Sequence, residues 1–383
     1  MLMQVLALVL VTPCSALVHA NGLLELRIRS GGAFTQIDSL EHELNSASAA
    51  ANGVLLVIED GEEEDAALLA SLDNEARTAL LCREHALRSR LREMSRPIIA
   101  VGSGRRLEGA AAGLFLAAEH RLVSQQTMFS LTACRFGLVP GAIAELVSTM
   151  NLADATSADK RALAMAVALG AMPLNAHDVA HVLGALFSPA ADVPALLHEL
   201  RRAPSAYLDV PLTRRCAQPP AELALLAQPL VAKALRNVFG GGSDGDNARA
   251  GAGSSRARGA RSAAAMRRAL AKEVYDVDRL LDSCAWHTRE CAEAVSDVLH
   301  AATFALDDAR ASPHALALTA RVLQRGLDAA GTAGADVGTV ETTAQHALMA
   351  NARLATRRGF ADDLTRRRKR WLAQRPPLGL HVS

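Results

Sequence analysis

Four segments in the first half of the chain have the length and hydrophobic pattern of β-strands. LLELRIR at residues 23–29 alternates apolar and polar positions, which predicts a half-buried strand. VLLVIED at residues 54–60 and RPIIAVGSG at residues 96–104 are continuous apolar runs, typical of strands buried on both faces. RLVS at residues 121–124 predicts a further short strand.

Helical patterns lie between these strands. They occupy residues 37–50, where Asp38 or Ser39 stands near the predicted start, residues 74–95, and the small-residue stretch at 107–120. Strands that alternate with helices imply parallel strands joined by right-handed crossovers. The sequence therefore predicts an α/β core, to which we assign residues 21–185.

The second half of the chain is helical in pattern almost throughout. Residues 186–238 predict a helical extension, and residues 263–383 predict a helical C-terminal region with a basic tail. Between them, residues 239–262 are rich in Gly, Ser and Arg and have no apolar pattern, which predicts a flexible insert.

Residues 1–20 are apolar but too short to span a bilayer, and two alternatives stay open for them. Val18-His19-Ala20 is similar to a signal-peptidase site, which favours a leader, but no basic residue precedes Arg27. The other alternative is the first strand of the fold. No other segment is long and apolar enough to cross a membrane, so no membrane partner is expected.

Composition places the chain among globular proteins, with 50% hydrophobic and 21% charged residues in a length of 383. The net charge of +1 excludes a uniformly basic nucleic-acid binder. The six cysteines lack zinc-type spacing, which favours buried thiols in a reducing compartment and predicts no metal site.

Basic residues are nevertheless clustered, and nearly all of them are Arg. Clusters lie in the insert and in the C-terminal tail, at Arg256, Arg258, Arg261, Arg366, Arg367, Arg368, Lys369 and Arg370. Such clusters suit RNA phosphates, although a solvated helix face with incidental Arg explains each cluster equally well. Aromatic residues make up only 3% of the chain, so an RNA contact would use the backbone rather than stacked bases.

Several motifs along the chain resemble the enoyl-CoA hydratase superfamily, the crotonases. They are RPIIAVGSG, then EGAAAG at residues 108–113, EHRL at 119–122 and FSLTACRFGLVPG at 129–141. ASPHALALTARVL at residues 311–323 and RGFADD at 358–363 are most similar to the 3-hydroxyisobutyryl-CoA hydrolase branch. This resemblance spans residues 21–375 and implies a crotonase-type ββα spiral core followed by a helical region.

The resemblance also implies a catalytic apparatus, from which this chain departs. The family has a glycine-rich turn and a glycine-rich helix start that supply an oxyanion hole; here those positions read Ser71 and Leu72, and Glu108 and Gly109. The two acids that the family uses fall on Ala133 and Gly141. We therefore predict no catalytic residue and only vestigial oxyanion-hole positions.

A few other side chains have the chemistry to replace the missing acids. Cys134 is a possible nucleophile if Arg135 lowers its pKa, but a small buried thiol is the simpler interpretation. The simpler interpretation of His85 and His120 is that they are structural residues rather than catalytic bases. Glu145 is predicted to be an ordinary solvated residue of a helix. Cys284 and Cys291 share a helical face that core packing explains better than metal binding.

These observations lead to three functional hypotheses, the third of which is a pseudoenzyme that modulates an active crotonase partner through hetero-oligomerisation. The first is a catalytically inactive, hydrolase-like crotonase that serves as a structural subunit in mitochondria. The resemblance implies a place in the small subunit of the mitochondrial ribosome, with mitoribosomal proteins and rRNA as partners. The second is a divergent but active acyl-CoA hydrolase or hydratase of mitochondrial acyl-CoA catabolism. No cofactor is expected, apart from residual coenzyme A binding.

Overall fold

The structure is a computed structural model. It describes residues 16–18, 22–29, 33–47, 51–59, 64–150, 157–169, 171–202, 318–323, 325–327 and 337–374, and the single residues 216, 224, 235 and 315.

Parallel strands form the centre of the described fold. The strands are β1 (Ala16–Val18), β2 (Leu23–Ile28), β3 (Gly53–Ile58), β4 (Ile98–Gly102), β5 (Arg106–Glu108), β6 (His120–Ser124), β7 (Met128–Ser130) and β8 (Leu186–Ser188). Six of them form one sheet in the order β1-β2-β3-β4-β6-β8, in which only the β1–β2 pair is antiparallel. β5 and β7 pair in parallel as a separate, two-stranded sheet. The predicted α/β core with parallel strands is confirmed.

Helices surround the sheets. They are α1 (Ile37–Ala47), α2 (Glu64–Ser71), α3 (Asn74–Glu93), α4 (Gly109–Ala117), α5 (Ile143–Thr149), α6 (Ser157–Leu169), α7 (Ala176–Leu183), α8 (Val193–Arg202), α9 (Val337–Ala355) and α10 (Phe360–Gln374). The longest, α3, starts where its sequence predicts, because the Asp73 carboxylate accepts a hydrogen bond from the Ala76 N–H at 2.8 Å and so caps the first turn. None of the described helices is long and apolar enough to cross a bilayer.

The continuous apolar run of β3 is explained by burial of both faces of the sheet. Val54, Leu56 and Ile58 join the main hydrophobic core, and the alternate residues Leu55 and Val57 join a second cluster. Leu196, Leu197 and Leu200 of α8 complete that second cluster. Because successive strand residues point to opposite faces, such a strand needs apolar residues at every position, as predicted.

β2 departs from its prediction as a half-buried strand. The polar residue Glu25 is only 2% exposed, because Arg201 of α8 covers it and donates to its carboxylate at 2.8 and 3.0 Å. Arg27 donates to the same carboxylate at 2.7 Å. An ion-paired acid therefore takes the place of an apolar residue under α8, and the alternating pattern conceals burial of both faces.

Residues 186–202 correct the predicted boundary of the core at residue 185. β8 extends the large sheet by pairing with β6, and α8 then packs on that sheet. The predicted helical extension therefore begins with a strand, whose three residues are too few to show a periodicity.

The C-terminal helices pack against the core rather than forming a separate layer. α9 contacts α3 and α5, and α10 contacts α2. The Asn351 side chain of α9 bonds both to the N–H and to the C=O of Val139, each at 2.8 Å. The predicted helical C-terminal region is confirmed in this part, whereas the predicted insert at residues 239–262 lies outside the described residues.

Residues 16–18 form β1, which agrees with the strand alternative for the start of the chain. The leader alternative remains a prediction, since residues 1–15 lie outside the described residues.

Candidate functional site

A small cavity lies where α2, α3 and α4 meet the chain between residues 131 and 142 and the two C-terminal helices. Its volume is about 80 Å³, well below the roughly 300–1,000 Å³ of pockets that enclose drug-sized ligands. Three carboxylic acids reach its wall, from Asp65, Glu84 and Glu108. The cavity can thus hold a few water molecules or a small acyl or carboxylate group.

The two positions at which the family acids are missing both lie on this cavity. Ala133 belongs to a short 3-10 helix, Thr132–Phe136, and Gly141 follows it after a turn. A Cβ atom at Gly141 would lie 2.8 Å from Nη2 of Arg88 and 3.3 Å from Oε2 of Glu84. The space that a side chain at position 141 would occupy is therefore filled by a buried guanidinium.

Gly109 opens α4 at the edge of the cavity, next to Asp65. Its φ of +60° lies in the left-handed region, which glycine adopts without strain. A Cβ atom at Gly109 would stand only 3.3 Å from Oδ2 of Asp65. The glycine thus both shapes the start of the helix and allows the carboxylate to approach it.

Asp65 is the cavity residue that sequence reasoning missed. Its carboxylate accepts a hydrogen bond from the Phe34 N–H at 2.9 Å, and the nearby backbone N–H groups of Ala110 and Ala33 also act to lower its pKa. Burial raises its pKa from 3.8 to about 7; the backbone hydrogen bonds oppose that rise, and the charge of Glu84 adds to it. The only sequence signal was the acidic run GEEED at residues 61–65, which does not indicate which acid turns inward.

A sequence model of the enoyl-CoA hydratase/isomerase family matches residues 54–355. The chain belongs to this family. The fold is also similar to two solved structures, each covering 92% of this chain and 88% of the other. An enoyl-CoA hydratase from Rhodobacter sphaeroides has 17% identity and a TM-score of 0.60, and a carnitinyl-CoA dehydratase from Mycobacterium thermoresistibile has 16% identity and a TM-score of 0.58. No curated protein matches the sequence.

Ser71 and Leu72 were expected to occupy an oxyanion-hole position of this family, but neither residue lines the cavity. Ser71 is exposed and ends α2, and Leu72 packs against the main core without lining the cavity. The residues of α2 that do line the cavity are Asp65, Ala66 and Leu69, all of which precede Ser71 in the helix. The predicted positions Glu108 and Gly109 do line the cavity.

Glu145 also differs from its prediction as a solvated helix residue. It is 1% exposed and forms a buried ion pair with Arg88, whose Nη1 lies 3.0 Å from Oε2. Arg92 contacts its other oxygen. Because both oxygens are held by guanidinium groups and the residue does not line the cavity, Glu145 does not replace a missing acid.

Arg88 connects this pair to the cavity. Its Nε lies 2.6 Å from Oε1 of Glu84, and its Nη1 donates to the Gly141 carbonyl at 2.7 Å. Burial raises the pKa of Glu84, and the charge of Arg88 offsets part of that rise. The guanidinium thus balances two buried acids and fixes the cavity wall at Gly141.

The candidate nucleophile and bases lie away from the cavity. Cys134 is fully buried with its Sγ 3.3 Å from Oγ1 of Thr319, and burial raises its pKa to about 12. The suggestion that Arg135 lowers this pKa is therefore wrong. His85 lies 3.2 Å from the Gln345 side chain, burial lowers its pKa, and His120 begins β6; neither lines the cavity. Cys284 and Cys291 lie outside the described residues.

The basic tail divides into outward and inward residues. Arg366 is 71% exposed and Lys369 is exposed as well, whereas Arg368 is half-buried. Arg367 is 3% exposed and donates to the Asp363 carboxylate at 3.0 and 3.1 Å. Arg367 is therefore a packing residue, which corrects its prediction as an RNA contact. The side chains of Arg256, Arg258, Arg261 and Arg370 lie outside the described residues.

Proposed function

We propose that this chain is a catalytically inactive, 3-hydroxyisobutyryl-CoA hydrolase-like member of its family. In this proposal it acts as a structural subunit of the small subunit of the mitochondrial ribosome. It contacts ribosomal proteins and the phosphate backbone of rRNA, and it requires no cofactor.

The observation that carries the loss of catalysis is the arrangement at positions 133 and 141. General acid–base or nucleophilic chemistry needs a carboxylate within hydrogen-bond reach of the substrate. Ala133 has no functional group, and Arg88 fills the space beside Gly141. A cavity of about 80 Å³ also leaves little room for an acyl-CoA thioester.

The structural role is supported by the surface of the two C-terminal helices. Arg353, Arg357 and Arg358 are exposed at the end of α9 and just beyond it, and Arg366 and Lys369 are exposed on α10. Exposed Arg and Lys favour contact with phosphates rather than with bases. The placement in the mitochondrial ribosome rests on the resemblance to the hydrolase branch.

A second function, an active but divergent acyl-CoA hydrolase, is favoured by one observation. Asp65 lines the cavity and has a pKa raised to about 7, and a group with such a pKa is suited to general acid or base catalysis at neutral pH. In this case Asp65, or the neighbouring Glu84, would have to replace the missing acids.

Sedimentation of the endogenous tagged protein through a sucrose gradient separates the two functions. Each fraction of a mitochondrial lysate is assayed for small-subunit rRNA and for hydrolysis of 3-hydroxyisobutyryl-CoA. We expect the protein to migrate with the rRNA, to dissociate at high salt and to show no matching hydrolysis. A light, RNA-free peak that hydrolyses the thioester would establish the second function and refute the first.

A matched pair of variants makes the result specific. Arg366→Gln combined with Lys369→Gln removes two outward charges and is expected to reduce the fraction of protein that migrates with the particle. Arg83→Gln removes a half-buried charge from α3, where it pairs with Asp38 of α1 rather than with α10, and should leave that fraction unchanged. Equal migration of both variants would remove α10 from the contact surface.

A further inference from the structure

Two histidines of α7 lie on the same side of that helix. His177 and His181 are four residues apart, and no other two of the 12 histidines in the chain have this spacing. Side chains at positions i and i+4 of a helix stand one above the other, with Cβ atoms about 5–6 Å apart. The two imidazole rings are therefore neighbours.

The burial pattern of α7 turns both rings toward the outside of the fold. The inner face of the helix carries Val179 and Val182, each 0% exposed. His177 and His181 occupy the opposite face and are only half-buried. Both rings therefore keep contact with solvent, which a site for a dissolved ion requires.

The His177 ring is held in place by Phe187 of β8. The centroids of the two rings are 4.8 Å apart, and their planes are inclined by 32°. Burial lowers the pKa of His177, and the nearby charge of His181 lowers it further. The His177 ring is therefore neutral at pH 7, which is the form that binds a metal ion.

The spacing matches that of the two zinc-binding histidines in helical H-E-x-x-H motifs. In this chain the segment reads HDVAH, and the acid that follows the first histidine is Asp178. Asp178 is only 2% exposed, so its carboxylate has no access to water on the outer face of the helix. The segment thus has the metal-binding part of the motif without its catalytic part.

We propose that His177 and His181 form a two-ligand site for a divalent transition-metal ion of the Zn²⁺ class. Imidazole nitrogens suit Zn²⁺, Ni²⁺ and Cu²⁺, whereas Mg²⁺ and Ca²⁺ require oxygen ligands. Each ring has two nitrogens, so one binds the metal while the other keeps a hydrogen bond. In the described part of the chain, no group of three or more His, Cys, Asp or Glu is placed to hold a metal ion. Water therefore completes the coordination on the solvent side.

This site does not depend on the proposed function. Neither histidine lines the cavity, and neither belongs to the C-terminal helices α9 and α10 that carry the exposed basic residues. Removing either histidine should therefore leave the cavity and the basic surface unchanged. Failure of the metal site would not affect the ribosomal proposal, and failure of the ribosomal proposal would not affect the metal site.

Calorimetric titration of the untagged full-length protein with Zn²⁺ tests the proposal. We expect the wild type to bind one Zn²⁺ ion more than His177→Ala or His181→Ala, because a single imidazole cannot chelate the metal. Mg²⁺ should not bind at this site. His198→Ala removes an exposed histidine from α8 and should bind Zn²⁺ as the wild type does. Wild-type stoichiometry in either α7 variant, or no binding of Zn²⁺ by the wild type, would overturn the proposal.

Hydrogen exchange locates the ion in the wild type and does not require the variants to fold. A metal ion that joins side chains at i and i+4 holds one turn of the helix closed. Backbone amides of α7 should therefore exchange more slowly in Zn²⁺ than in Mg²⁺, and EDTA should restore the original rates. The amides of α8 serve as the control and should not change. Slowing that is absent from α7, or that is equal in α7 and α8, would refute the site.

Discussion

Gly109 illustrates how one residue shapes the cavity. An L-residue at its φ of +60° loses roughly 1–2 kcal/mol through steric conflict between Cβ and the backbone. Gly359 has a φ of +76°, and no atom lies within 4 Å of the place where a Cβ atom would stand. A substitution at Gly359 therefore measures the backbone cost alone. At Gly109, the same Cβ would also press on Asp65.

We therefore predict that Gly109→Ala destabilises the protein more than Gly359→Ala does. Urea unfolding should give a loss of about 1–2 kcal/mol for Gly359→Ala and a distinctly larger loss for Gly109→Ala. Combining Gly109→Ala with Asp65→Ala should remove part of the difference, since the two changes act on one contact. Equal losses at the two glycines would mean that Asp65 moves aside without cost.

The raised pKa of Asp65 predicts a pH dependence of stability. The folded state keeps the proton up to about pH 7, whereas the unfolded chain releases it near 3.8, so the folded state binds more protons between these values. The contribution of Asp65 to stability is therefore full below about pH 4 and is lost as the pH rises to 7 and above.

Comparison with Asp65→Asn isolates this effect, because the acids on neighbouring elements, Glu84 and Glu108, are the same in both proteins. Between pH 4 and pH 7 the wild type should lose about 3 kcal/mol relative to Asp65→Asn, since each unit of pKa shift corresponds to about 1.4 kcal/mol and the folded state is only half ionised at pH 7. Urea unfolding across this range measures the difference. Parallel pH profiles would place the folded-state pKa of Asp65 near its ordinary value.

Restoring the two family acids at positions 133 and 141 tests whether the cavity still admits a substrate. In Ala133→Glu combined with Gly141→Asp, we expect no gain in hydrolysis of 3-hydroxyisobutyryl-CoA over the wild type. The new aspartate would meet the Arg88 guanidinium, which Glu84 and Glu145 hold in place, and would pair with it rather than face a substrate. Hydrolysis above the wild-type level in a correctly folded double variant would show that the cavity still admits the substrate.

At the scale of elements, a buried charge network joins three helices around the cavity. Glu84 and Arg88 lie on α3, Glu145 lies on α5, and Arg92 reaches both Glu145 and Glu341 of α9. Removing one member of a buried ion pair leaves an uncompensated charge, which typically costs about 3–5 kcal/mol. Arg88 is the member that faces two acids.

Arg88→Met is therefore expected to lower the free energy of unfolding by about 3–5 kcal/mol at pH 7. The charge of Arg88 holds down the raised pKa of Glu84, so without Arg88 the folded state keeps the Glu84 proton more readily and the loss should become smaller as the pH falls to 5. Arg92→Met, at a position that is 18% exposed, removes one partner of Glu145 but leaves Arg88, and should cost less. A loss for Arg88→Met that does not change with pH would contradict the role assigned to Glu84.

The elements that could be predicted from the sequence are those long enough to show a hydrophobic pattern. β3 and β4 are continuous apolar runs because both faces of the sheet are covered, and α3 carries its own cap at Asp73. The strands β5, β7 and β8 have three residues each, which is too short for a period to appear. Their pairing depends on contacts with distant segments, which no local pattern records.

Part of the candidate site was predictable from the motif residues, namely Glu108 and Gly109 and the two positions at which the family acids are missing. Ala133 and Gly141 could be placed because neighbouring motif residues fix their register. Asp65 could not, since it is one of four acids in a run of five residues and only the fold turns it inward. Likewise, Arg88 and Glu145 lie 57 residues apart, so the pair is visible only once α3 and α5 are in contact.

At the scale of the whole molecule, a near-neutral chain presents local positive charge on its C-terminal helices. The net charge of +1 rules out strong attraction to RNA over the entire surface, so any RNA contact must be local. The inward position of Arg367 reduces the number of tail residues that can reach phosphate. Counterion release makes this number measurable, because each phosphate contact adds to the salt dependence of binding.

Binding of a short hairpin RNA by the purified full-length protein, measured at several salt concentrations, should therefore separate outward from inward residues. Arg366→Gln combined with Lys369→Gln should weaken binding and reduce the slope of log K against log salt by about 1–2, from roughly 0.7–0.9 per lost contact. Arg367→Gln should leave the slope unchanged and instead lower stability, since it leaves Asp363 without its buried partner. If the outward pair does not alter the slope, the α10 surface contacts no phosphate, and if Arg367→Gln does alter it, this side chain leaves its pocket when RNA binds.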